Sequence, residues 1–198
     1  MLRSRPRSQG AAAPLFVSAK CRTAIPLRHD LVRDALVQVS LDPLVRAIEF
    51  VLAARVRQAP VALDAIVVSR DDGRHVLDVV PARPVRDVEA EGLALLALEH
   101  LGLPLLTVTE AEIRSEPRYA NARLVWQYRQ YPVGIDQRMR ILTVLRDDGP
   151  MSFGCLLKRI LGPRDPSLAV LSLACADLLE LDLVSVPLGP VTTVRCRS

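Results

Sequence analysis

The chain has 198 residues, half of them hydrophobic, and 26 basic against 22 acidic side chains, for a formal net charge of +4. That length holds one large domain or two small ones around a real core. Its longest apolar runs are too short to cross a bilayer, so no membrane is expected among its partners. Mild basicity is compatible with nucleic acid without demanding it.

In chain order, the start is distinctive. Arg3, Arg5, Arg7 and Lys20 lie among Ser, Gly and an alanine run without any acid, and residues 1–27 read as a disordered basic arm. Such an arm suits DNA phosphates. An organellar transit peptide has the same composition, and the arm is the preferred reading. A helix is predicted over His29–Ser40, with Leu31, Ala35 and Leu36 as its apolar stripe, ended by Asp42-Pro43. Residues Leu44 to Ala62 read as one or two strands.

Next come Ala62-Leu63-Asp64-Ala65-Ile66-Val67-Val68, the turn Asp71-Asp72-Gly73, and His75-Val76-Leu77-Asp78-Val79-Val80. This is a hairpin signal, because Gly accepts positive φ and Asp tolerates it. Strand alternation puts Val76, Asp78 and Val80 on one face, with Leu77 and Val79 on the other. An unpaired carboxylate among valines is costly to bury. Asp78 is therefore expected at a strand end, in a cleft or against a partner. Pairing of the strands brings Asp64 and Asp78 toward one end. Two such acids either repel and are held by a divalent cation, or face water as ordinary strand-end residues.

Pro81 and Pro84 end the second strand. A helix follows over Val88–His100 and is closed by Gly102; then come a strand over Leu103–Val108, a capping box at Thr109–Glu112, and a helix over Tyr119–Tyr131. Past Pro132-Val133-Gly134 three further helices are expected. One carries Ile135, Met139, Leu142 and Leu145, one is capped by Ser152 and broken by Gly162-Pro163, and one runs from Ser167 to about Leu179. A hairpin of Leu181–Val186 with Val191–Cys196 completes a winged helix. Its third helix is almost wholly apolar, with acidic neighbours Asp177, Glu180 and Asp182, which suits packing or protein docking better than base readout. The candidate nucleic-acid residues are Arg138, Arg140, Lys158 and Arg159, with Arg164 beside them.

Cys21, Cys155, Cys175 and Cys196 lack paired metal spacing, and His29, His75 and His100 are scattered. Cys155 and Cys175 fall in apolar stretches and are expected to be buried thiols in a reducing, cytoplasmic setting. No glycine-rich phosphate loop, nucleophile elbow or HExxH motif is present.

The order of elements over about residues 28–132, with two stretches in detail, resembles the TnsA-type transposon endonucleases of the PD-(D/E)xK superfamily. The stretches are Leu41-Asp42-Pro43-Leu44-Val45 leading to the Asp64 and Asp78 hairpin, and Val108-Thr109-Glu110-Ala111-Glu112-Ile113-Arg114 with Asn121 and the Trp126–Tyr131 segment. The resemblance implies an α/β fold with a restriction-endonuclease-like core at 28–132, a mixed sheet flanked by helices, ahead of the winged helix at 133–198. It also implies Asp64 and Asp78 as catalytic residues and Mg²⁺ ligands, Asp30 or Asp34 as the helix acid, and DNA and a recombination or transposase-like protein as partners.

The chain departs from that pattern at one point: Val80 occupies the position of the lysine, with only Arg83 or Arg86 placed to reach back. Losing such a donor costs about 10²–10³ in rate. The leading expectation is a DNA-associated scaffold with impaired catalysis. The alternatives are an active metal-dependent endonuclease with a variant site, and a non-enzymatic protein-binding adaptor.

Overall fold

A computed structural model describes residues 14–56, 59–160 and 165–197. Arg3, Arg5, Arg7, Gly162, Pro163 and Arg164 fall outside the described residues. Part of the expected arm is built into the fold. β1 (Leu15–Phe16) pairs with β2 (Ile25–Pro26), and Phe16, Lys20 and Ile25 are buried. Phe16 stacks on Trp126 with ring centroids 5.2 Å apart. Charge marked this stretch as an arm, but its two apolar side chains dock against the helix that follows and override that signal.

That helix is α1 (Asp30–Leu41), capped by His29, whose Nδ1 accepts from the Leu31 amide at 3.1 Å. Leu31, Ala35 and Leu36 are buried as its stripe requires. β3 (Val45–Val56), β4 (Ala59–Arg70) and β5 (Gly73–Val79) follow as antiparallel neighbours, and β6 (Leu105–Val108) joins β5 in parallel. The sheet order is β3-β4-β5-β6. The β4–β5 turn is Asp71-Asp72, with Gly73 at φ +132°, a conformation open to glycine.

β5 stops at Val79. Val80–Ala82 form a 3₁₀ turn around Pro81. Val80 therefore leaves the strand and does not share a face with Asp78 as alternation predicted. α2 (Val88–His100) is capped by Asp87 and crosses from β5 to β6, the helical connection a parallel pair needs.

The sheet is packed on both faces. Val61, Leu63, Ala65, Val67 and Val76 meet Ala94 and Ala97 of α2. Ile66, Val68, Leu77 and Val79 meet Leu36 and its neighbours on α1. The capping box at Thr109–Glu112 is present and opens α3 (Glu110–Ile113). α4 (Arg118–Trp126) ends earlier than its expected Tyr131 boundary, in turns stabilised by Tyr128 and Tyr131 backbone bonds.

The C-terminal part comprises α5 (Ile135–Asp148), β7 (Met151–Ser152), α6 (Phe153–Arg159), α7 (Ser167–Cys175), β8 (Leu179–Leu181) and β9 (Thr193–Cys196). Its three-stranded sheet has the order β7-β9-β8. α7 stops sooner than predicted and β8 begins sooner, because Asp177 turns the chain at φ +58° between Lys20 and Arg197. α7 is buried from Ala169 to Cys175 and packs against α1, α4, α5 and β8. Cys155 corrects an expectation: it is exposed, at the turn where Ser152 caps α6.

Candidate functional site

The β4–β5 ladder runs from the turn only as far as Val67 opposite Val76. Beyond that pair β5 continues with β6, and the space between the separating strands opens into a cavity of about 550 Å³. Asp64 and Asp78 both line it, with Arg28, His29, Arg83 and Arg86 at its polar positions and Phe50, Ile66, Leu95 and Leu98 among its apolar walls. Asp64 holds a left-handed φ of 46°, uncommon for a non-glycine residue, at the place where the ladder has ended.

Leu63 and Ala65 face α2, and Asp64 between them sits at an irregularity of the β3–β4 register, between Val51 opposite Ala65 and Ala53 opposite Ala62. Asp78 shares the α2 face with Val76. Each acid has its own guanidinium. Arg28 Nη1 donates to Asp64 Oδ2 at 3.3 Å. Arg83 folds back from the 3₁₀ turn to grip Asp78 with two bonds, Nε to Oδ1 at 2.8 Å and Nη2 to Oδ2 at 2.5 Å. Thr107 Oγ1 donates to the same Oδ2 at 3.0 Å from β6. The Arg83 bond holds the Asp78 carboxyl below its ordinary range, burial opposes it, and Thr107 adds to the lowering. Arg86 bonds the Leu63 carbonyl and pairs with Glu91 at 3.0 Å, tying α2 to the strand just before Asp64.

Asp30 stands apart from this constellation. It is exposed at the start of α1, 3.5 Å from Arg33, and does not line the cavity. Asp34 meets the Tyr119 hydroxyl at 3.4 Å instead. The donor set does not fit a Mg²⁺ centre. Both oxygens of Asp78 and one of Asp64 are taken by arginine. Asp64 Oδ1 is buried without a hydrogen-bond partner, but one carboxylate oxygen does not make a cation site, and among the described residues no three His, Cys, Asp or Glu side chains gather where a metal ion could be held.

In the C-terminal part, Arg138 and Arg140 are exposed on α5, and Lys158 and Arg159 are exposed in the last turn of α6. α5 and α6 share a core through Ile141, Leu145 and Leu156, and Arg159 reaches Asp148 at the end of α5. Burial on all sides removes α7 from any surface role.

Sequence reasoning reached Arg83 and Arg86 but missed Arg28, Thr107 and the work of Asn121. Asn121 is buried on α4. Its amide donates to the carbonyls of Leu183 and Val186, each at 2.9 Å, and its oxygen accepts from the Leu188 amide at 2.8 Å. These partners lie 62 to 67 residues away, beyond the reach of any local pattern. No protein-family model matches the chain, and no curated protein does.

Proposed function

We propose that the protein associates with DNA through a nuclease-like α/β core that holds the strand without cutting it. The observation that carries this reading is the pairing of Asp64 with Arg28 and of Asp78 with Arg83 in one cavity. A hydrolytic centre of this kind needs carboxylates open to a cation and a donor for developing charge. Here three of the four carboxylate oxygens are spent on guanidiniums, and the fourth, Asp64 Oδ1, is buried.

The order α1, three antiparallel strands, crossover α2 and parallel β6 supports the nuclease-like lineage that the sequence resemblance implies. The order α5-β7-α6-α7-β8-β9 supports a winged helix behind it. Because α7 is enclosed, that unit contacts DNA through the exposed bases of α5 and α6, Arg138, Arg140, Lys158 and Arg159, and not through its third helix. A scaffold role beside a recombination or transposase-like partner follows from the resemblance.

The test has two arms. Supercoiled plasmid incubated with Mg²⁺ or Mn²⁺ remains intact, and labelled duplex binds with an affinity that falls as salt rises. Cleavage that disappears in Asp64→Ala would overturn the reading, as would failure to bind duplex.

A second reading, a protein-binding adaptor, is favoured by the outer face of α2, where Leu93 and Leu96 are exposed. Absence of salt-dependent duplex binding by the wild-type chain would favour it, and binding lost on neutralisation of Arg138, Arg140, Lys158 and Arg159 would count against it.

A further inference from the structure

We propose that Arg28 and Arg83 form a clamp for one phosphodiester group of a DNA backbone, and that Asp64 and Asp78 are positioning residues for that clamp. The proposal rests on the DNA-associated reading above and assigns a new role to the same cavity.

Exposure decides which charge a ligand meets. The Arg28 side chain is 62% exposed against 28% for Asp64, and Arg83 is 54% exposed against 10% for Asp78. Both pairs therefore lie with the carboxylate inward and the guanidinium outward. The clamp also has donors to spare. Arg28 uses only Nη1 on Asp64, and Arg83 uses Nε and Nη2 on Asp78.

A guanidinium held by a two-point bond has its plane fixed, and its remaining N–H groups point in set directions. That preorganisation is what a tetrahedral anion with several acceptor oxygens rewards. His29 stands beside Arg28 on the rim, and with Nδ1 accepting from the Leu31 amide its donor is Nε2. The cavity thus turns from a place that would polarise a phosphodiester into one that grips it.

Duplex binding is measured by fluorescence anisotropy over a salt series for the wild-type chain, Arg28→Gln/Arg83→Gln, Arg83→Lys and Asp78→Asn, with thermal melts confirming that each is folded. The double variant loses about one unit of salt slope, the share of the single phosphate it no longer neutralises, and binds more weakly by tenfold or so. Arg83→Lys keeps the charge but not the fork, and also weakens binding.

Asp78→Asn is decisive. If the acid only repelled DNA, its removal would tighten binding; a positioning acid gives weaker binding. Wild-type affinity in the double variant, or tighter binding in Asp78→Asn, overturns the clamp while leaving the DNA reading intact. Absence of duplex binding by the wild-type chain overturns both. Inorganic phosphate at matched ionic strength leaves the duplex bound; preferential displacement by the free ion would assign the arginines to a small phosphate compound and overturn the DNA clamp.

Discussion

Arg83 closes on Asp78 across five residues, through a 3₁₀ turn that Pro81 makes possible and that ends the strand at Val79. A lysine two residues past an acid would continue the strand. The present chain leaves the strand at that point and returns with a guanidinium, so the counter-charge arrives from a turn and is spent on the acid itself.

The pairing makes stability depend on acid. Asp78 titrates below its ordinary value in the folded protein, chiefly through Arg83. A depressed carboxyl contributes stability that is fully present above the unfolded value, about pH 4, and is lost as pH falls through the folded one. Asp78→Asn abolishes that contribution. The melting-temperature gap between wild type and variant is therefore constant near neutrality and narrows below about pH 4. A gap unchanged down to pH 2 would contradict the pairing.

Asn121→Ala removes three hydrogen bonds that fasten residues 183–188 to α4. Net values near 1 kcal/mol each give a loss of roughly 3 kcal/mol, because two carbonyls and an amide are left without a partner. Urea denaturation gives the magnitude. Amide exchange locates it, with the Leu188 amide losing protection before those of β9.

Local signals were legible. The Asp71-Asp72-Gly73 turn, the capping box at Thr109, the Ser152 cap and the crossover helix α2 all depend on neighbouring residues, and all form as read. Long-range effects were not legible. Phe16 and Ile25 belong to the core because α1 and Trp126 receive them, which no property of an acid-free, arginine-rich stretch announces. The same holds for the site. Asp64 and Asp78 were legible as odd acids in apolar strands, and both reach one cavity. Their meeting in one cavity follows from where the β4–β5 ladder stops, at Val67 opposite Val76. Arg28 is 36 residues from its partner Asp64.

Arg197 gathers the C-terminal strand, the turn after α7 and the start of β3 into one network. It donates to the carbonyls of Pro43 and Val45, to Glu180 Oε1 at 2.9 Å, and lies 3.3 Å from Asp177. Buried Lys20 joins from the N-terminal side, 3.3 Å from Asp177 and 2.6 Å from the Asp42 carbonyl. Arg197→Ala is expected to cost about 3 kcal/mol, the low end for breaking a buried ion pair, because Arg195 and Lys20 keep hold of the two acids. A loss below about 1 kcal/mol in chemical denaturation would place the arginine outside the stability core.

The four thiols differ sharply in what surrounds them. Cys175 is buried on α7, its Sγ against the Val125 carbonyl at 3.4 Å, and burial pushes its pKa up to about 12. Thiolate is the reactive form, so at neutral pH this side chain is both enclosed and protonated. Cys196 is partly buried and also shifted upward by burial, and Cys21 lies 3.2 Å from the Ser18 hydroxyl. Cys155 is exposed on α6. Limited maleimide labelling of the native protein at pH 7.5 therefore modifies Cys155 first, and mass mapping finds Cys175 labelled only after denaturant is added. Labelling of Cys175 at the rate of Cys155 in native buffer would mean that α7 opens readily. It would also undo the argument that this helix is closed to DNA.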